Sequence, residues 1–128
     1  MGLSCELGRR KIGMLIEVLK SKIHNAVVTD TFIDYEGSIG IDEEIVELAG
    51  LREFEKVHVW NVGNGERFET YVILEPRGSR RITINGAAAR LAHRGDKVII
   101  ASFCFVSPDE KVSPRIVILD SNNVPKLK

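Results

Sequence analysis

Short apolar, β-branched runs, each cut off by glycine, proline or asparagine, dominate this chain and leave little room for helix. Residues 14–21 are mostly apolar, and residues 26–31 and 31–35 carry the β-branched content of strands. Asp42 is placed to cap one short helix, with Glu43 and Glu44 at its positive end. Ile45, Leu48 and Ala49 follow at helical spacing, and Gly50 stops it. Residues 56–62 alternate as a strand, Gly63-Asn64-Gly65 supplies the turn, and residues 67–74 return as the hairpin partner. Residues 76–79 form another turn, residues 81–84 a strand, Asn85-Gly86 a turn, and residues 87–92 a helical turn. The run at 97–105 is the most apolar strand. Six to seven short strands with two brief helices predict a mainly β chain closed into a small barrel.

At 128 residues the chain fits one domain. Its 18 lysines and arginines balance 18 aspartates and glutamates, and no basic cluster suits a phosphate backbone, so nucleic acid is not an expected partner. No run approaches the ~20 apolar residues of a membrane helix, and the start lacks the apolar core of a secretory signal. A soluble, cytoplasmic protein is expected. Cys5 and Cys104 offer neither a disulfide framework nor metal-ligand spacing, and His58 and His93 have no partners at useful spacing, so no metal is assigned. Residues 1–13 read as an extension without fixed structure, 14–120 as the domain, and 121–128 as a frayed tail.

Gly37-Ser38 stands out chemically. A serine hydroxyl beside a carbonyl whose residue has no side chain can attack its own peptide, giving an ester. Elimination across Ser38 then breaks the chain and leaves an N-terminal pyruvoyl group, an electrophile that no ordinary side chain supplies. The same dipeptide also makes plain bends, as Gly78-Ser79 illustrates. Its surroundings separate the two readings. Lys22-Ile23-His24 and Tyr35-Glu36 precede it; Val59-Trp60-Asn61-Val62, Gly65-Glu66-Arg67-Phe68-Glu69-Thr70-Tyr71 and Asn85-Gly86-Ala87-Ala88-Ala89 follow. From about Met14 to about Val106 this ordered set resembles the pyruvoyl-dependent aspartate decarboxylases, which make β-alanine for pantothenate synthesis.

That resemblance implies a double-psi β-barrel, cut between Gly37 and Ser38 into chains 1–37 and 38–128, with a covalent pyruvoyl cofactor derived from Ser38. It implies L-aspartate as substrate and a homotetramer with sites between neighbours. Lys22 and Arg67 would hold substrate carboxylates, Arg67 by a bidentate grip and Lys22 as a point charge. Thr70 would bond near the Gly37 carbonyl during cleavage and later contact substrate, and Tyr71 would donate the proton to the α-carbon. On a regular strand the two would face opposite ways, so a bulge or strand end is expected there. Gly86, Ala87 and Ala88 would offer backbone amides to the substrate, with Asn85 at the turn before them. Tyr35, His24 and Trp60 would lie in or beside the pocket, although by itself a lone histidine is more often structural, a single tryptophan more often core, and Tyr35 equally suited to packing.

Two other readings remain. One is a barrel that binds or assembles without maturing, which would need core and turns but not Lys22, Arg67, Thr70 and Tyr71 together. The other is a hydrolase using Ser38 and His24 as nucleophile and base, which lacks a third member and a nucleophile-elbow pattern.

Overall fold

The computed structural model describes the backbone of residues 4–7 and 10–127. In chain order the elements are β1 (Ser4–Leu7), β2 (Arg10–Gly13), β3 (Ile16–Val27), β4 (Asp30–Phe32), β5 (Ser38–Asp42) and α1 (Glu43–Ala49). There follow β6 (Lys56–Asn61), β7 (Arg67–Glu75), β8 (Ile82–Asn85), a 3₁₀ turn (Gly86–Arg90), β9 (Lys97–Val106), β10 (Arg115–Leu119) and β11 (Pro125–Leu127). The mainly β expectation is met, with more strands than the six to seven foreseen.

Nine strands form one mixed sheet in the order β11-β10-β3-β9-β6-β7-β5-β8-β4. Three of its pairings are parallel: β10 with β3, β5 with β7, and β4 with β8. Strands from both ends of that order feed one apolar cluster, which includes Ile23, Ile41, Val59, Val72, Ile84, Ile100 and Val117. A sheet whose far strands share a core is rolled around it, which is the barrel the strand spacing predicted.

α1 forms as read. The Asp42 carboxylate accepts from the Glu44 N–H at 2.8 Å, and Gly50 closes the helix at φ 70°. Asp42 does more than cap. Fully buried, it also accepts from the Gly78 and Arg80 N–H groups at 2.9 and 2.8 Å, pinning the turn before β8. The β6–β7 hairpin also forms as read, with Gly65 at φ 76°.

Three local expectations differ from the structure. Residues 31–35 are not a strand: β4 ends at Phe32 and a turn follows, closed by the Tyr35 N–H on the Phe32 carbonyl at 3.2 Å. Of the extension expected to lack structure, residues 1–3, 8 and 9 lie outside the described residues, while β1 and β2 pair as a local two-stranded ladder. The Arg9-Arg10-Lys11 run hides that pairing from a reading based on apolar alternation.

The tail is the third case. Residue 128 lies outside the described residues, but Asn123 is only 2% exposed and bonds two distant segments. Its amide nitrogen donates to the Val27 and Arg80 carbonyls at 2.9 and 3.0 Å, and its carbonyl oxygen accepts from the Val27 N–H at 2.8 Å. Asn123→Ala strands these buried backbone groups and should cost about 2–4 kcal/mol. Denaturant titration of the matched pair checks this; a loss below about 0.5 kcal/mol, the scale of an ordinary surface change, would mean the tail is not tied in.

This architecture fixes the Gly37-Ser38 junction. β5 begins at Ser38 and lies between β7 and β8, and Ile39, Ile41, Ile82 and Ile84 are all fully buried. A one-residue slip of β5 on β8 would turn its isoleucines out of the core at about 1.5–3 kcal/mol each. Ser38 therefore has one register, opposite Asn85.

Candidate active site

Alternation decides which side of the sheet the junction serine faces. Ile39 and Ile41 point into the core, so Ser38 and Gly40 lie on the outer face, with Asn85 and Thr83 as their partners in β8. Ser38 is nonetheless only 3% exposed. The Asn85 amide donates to Ser38 Oγ at 3.0 Å, and that hydroxyl can itself donate to the Glu36 carbonyl at 3.4 Å. The other amide atom, Asn85 Oδ1, is buried without a partner among the described residues. Such an orphaned acceptor calls for a donor that none of them supplies.

The junction is also braced from behind. A Cβ built on Gly86 would sit 2.7 Å from Gly37 Cα, 2.8 Å from Gly37 N and 3.0 Å from the Tyr35 carbonyl oxygen. Gly86 has φ +77° as well, so both its conformation and its contact with Gly37 require glycine. The Asn-Gly dipeptide signalled the positive φ; the approach to Gly37, 49 positions away, had no local signature. On Gly37 itself, nothing lies within 4 Å of a built Cβ, so that flank of the peptide is open.

Ser38 and Asn85 open onto a cavity of about 520 Å³. Tyr35, Tyr71, Phe54 and Ile73 form its apolar and aromatic walls, and Asp34 and Glu36 supply carboxylates at its edge. Tyr35, which is mostly exposed, stacks on Phe32 with ring centroids 5.0 Å apart. Tyr71 reaches the cavity because it projects from β7 on the outer face, opposite Lys56. Thr70 is not among the lining residues. It pairs with the buried Val57, and the β6–β7 register runs unbroken from Lys56↔Tyr71 to Trp60↔Arg67, so the expected bulge is absent and alternation holds. Phe54, Ile73 and Asp34 are the lining residues that the sequence did not single out, and Glu36 entered only as part of the Tyr35-Glu36 motif.

The expected cations and their companions lie elsewhere on the same outer face. Lys22 aligns across the sheet with Ala101, His58 and Glu69 in successive strands, and Trp60 pairs with Arg67 in the neighbouring row. The Arg67 guanidinium sits 4.9 Å over the Trp60 ring, a cation–π contact. These two residues, with Glu17, His58, Glu69 and Phe103, line a second hollow of about 400 Å³. Glu69 pairs with Lys56 at 2.8 Å, and that bond and charge hold its carboxyl below the usual range. His24 lies on β3 where the register with β9 shifts, and its Nδ1 is buried without a partner among the described residues. Ala87 is exposed and Ala88 half-buried in the 3₁₀ turn that follows Gly86. Ser38 thus meets an asparagine and not His24, which removes the base that a hydrolase would need.

The protein is thus of the mainly β barrel class, with a buried serine at an unhindered glycine junction that opens onto an aromatic cavity. The comparisons narrow the class to a family. Residues 14–126 match the family model described as aspartate decarboxylase. Among curated relatives, the aspartate 1-decarboxylase of Fervidobacterium nodosum is 57% identical over 113 residues, covering 88% of this chain and 97% of that protein. The enzyme of the same name from Coprothermobacter proteolyticus is 55% identical, covering 90% and 97%. That of Caldicellulosiruptor saccharolyticus is 59% identical, covering 86% and 88%. The chain belongs to the aspartate decarboxylase family. A computationally designed double-psi barrel also matches, at 20% identity and a TM-score of 0.41 over 66% of this chain and 96% of that one, a likeness too slight to define topology.

Proposed function

We propose that this chain is an aspartate 1-decarboxylase, converting L-aspartate to β-alanine and carbon dioxide after cutting itself between Gly37 and Ser38. One observation carries the reading beyond family membership: the Ser38 hydroxyl is buried, oriented by Asn85 and set beside a glycine carbonyl with an open flank. The residues present suit a pyruvoyl group formed from Ser38, because the Asn85 amide nitrogen that donates to Ser38 Oγ can donate to a carbonyl oxygen in its place, and the cavity gives it room. Once formed, that group supplies an electron sink conjugated to the substrate nitrogen. The double-psi wrapping of the barrel goes with family membership and with the three parallel pairings of the mixed sheet.

Aspartate brings two carboxylates, and the Ser38 cavity has no cation among its lining residues while it does have Asp34 and Glu36. Arg67 lies four positions along β7 from Tyr71, roughly 13 Å at strand rise, and is engaged over Trp60. A complete site therefore takes Lys22 and Arg67 from a second copy, which is the reason to propose sites between neighbours; that the neighbours number four is what the family resemblance implies. Tyr71, which lines the cavity, returns a proton to the carbon from which carbon dioxide has left; Gly86 packs on Gly37, and the amides of Gly86, Ala87 and Ala88 are proposed as substrate contacts. Thr70, on the core side of β7, serves by supporting that strand beside the junction. Among the described residues no helix is long and apolar enough to cross a membrane; a cytoplasmic location accompanies this reading.

Incubation with L-aspartate and quantification of β-alanine tests the activity. Arg67→Ala should mature normally yet lose about 1.5–3 kcal/mol of substrate-carboxylate interaction, roughly 10- to 150-fold in kcat/KM. Equal kcat/KM for a fully cut variant and the parent would remove Arg67 from the site.

A further inference from the structure

Phe54 combines two features that rarely meet. Its backbone is left-handed, with φ 69°, a conformation bulky side chains seldom adopt, and its ring is 69% exposed. The connection from α1 to β6 does not need an aromatic there, because glycine or asparagine takes this φ with little strain.

Neighbouring bonds hold the backbone in place on both sides. The Phe54 N–H donates to the Val72 carbonyl at 2.7 Å, and the Val72 N–H donates to the Glu55 carbonyl at 3.0 Å. The Glu55 carboxylate accepts from Lys20 Nζ at 2.8 Å and from the Arg52 N–H at 3.0 Å. A strained residue so thoroughly fixed is characteristic of a working site. The bonds to Val72 also place Phe54 beside the residue next to Tyr71. Its ring meets the Tyr71 ring at a centroid distance of 6.3 Å and 45°, within the favourable range for aromatic pairs, and both rings line the Ser38 cavity.

We propose that Phe54 is a positioning residue for Tyr71, its ring holding the phenol in the orientation that faces the reacting carbon. This rests on the reading of Tyr71 as proton donor. Tyr71 is only half-buried on the outer face of β7, so without a lateral contact its side chain can turn toward solvent, and proton transfer requires hydrogen-bond distance. The strained φ is what brings a ring to that flank.

The test compares Phe54→Asn with Phe54→Tyr in the full chain. Asparagine accepts the left-handed backbone but has no ring, so thermal stability should hold or rise while the chain still cuts at Gly37-Ser38. The kcat for β-alanine formation should fall roughly 10- to 100-fold, the scale of a misplaced reacting group, with KM little changed. Phe54→Tyr should restore kcat toward the parent. The inference is overturned if cut Phe54→Asn turns over like the parent, or if Phe54→Tyr is as slow as Phe54→Asn. It is also overturned if the loss tracks a changed assembly state on size-exclusion chromatography, which would make the ring an intersubunit contact. A parent chain that forms no β-alanine would instead overturn the decarboxylase reading itself, and this inference with it.

Discussion

Ser38→Ala should leave the protein folded, uncut and without decarboxylase activity. Alanine has no hydroxyl to attack the Gly37 carbonyl, so the ester cannot form and the peptide survives. The proposed route balances without an outside oxidant. Ser38 Oγ takes over the Gly37 acyl group from the amide nitrogen, and elimination across the Ser38 Cα–Cβ bond releases that acyl group as the Gly37 carboxylate. Water then replaces the nitrogen, which leaves as ammonia. The fold should survive the change. Ser38 Oγ accepts from Asn85 and donates a longer bond to the Glu36 carbonyl, and their loss costs about 1–3 kcal/mol, whereas β5 is fixed by the buried Ile39 and Ile41. Gel analysis beside far-UV circular dichroism measures both, and two chains from the alanine variant would refute the account of maturation.

Tyr71→Phe should separate the two steps. Phenylalanine fills the same space against Phe54 and leaves the Ser38–Asn85 bond untouched, so cleavage proceeds. The hydroxyl that returns a proton to the substrate carbon is gone, and β-alanine formation should slow by roughly 10²–10⁴-fold, the usual cost of losing a positioned general acid. A phenol is a weak acid, but the carbon left by carbon dioxide is a much stronger base, so the transfer runs downhill. Cut protein with parental turnover would make Tyr71 structural; uncut protein would move its role to maturation.

What was legible in the sequence was what neighbouring residues decide. Asp42 with Gly50 defined α1, and the alternation through Val57 and Val59 with the Gly65 turn defined the β6–β7 hairpin. The Gly37-Ser38 dipeptide was visible in the sequence, but its register opposite Asn85 was not. Pairings across long stretches of chain were not. β10 adds in parallel to β3, and Asn123 reaches Val27, so a tail that looks polar and loose is bonded to the barrel. The same limit hid the approach of Gly86 to Gly37. Phe54 escaped for a different reason: turn chemistry predicts glycine or asparagine at a left-handed position, and the sequence breaks that rule beside Tyr71. Strict alternation, in turn, argued that Thr70 and Tyr71 part ways, and the unbroken β6–β7 register keeps them on opposite faces.

The most direct test of the central claim is the intact mass of the natively purified chain. Self-cleavage predicts a species ending at Gly37 and a second beginning at residue 38 whose N-terminus is lighter than serine by one ammonia and resists amine labelling. A single mass for the unbroken 128 residues, after storage under native conditions, would contradict it.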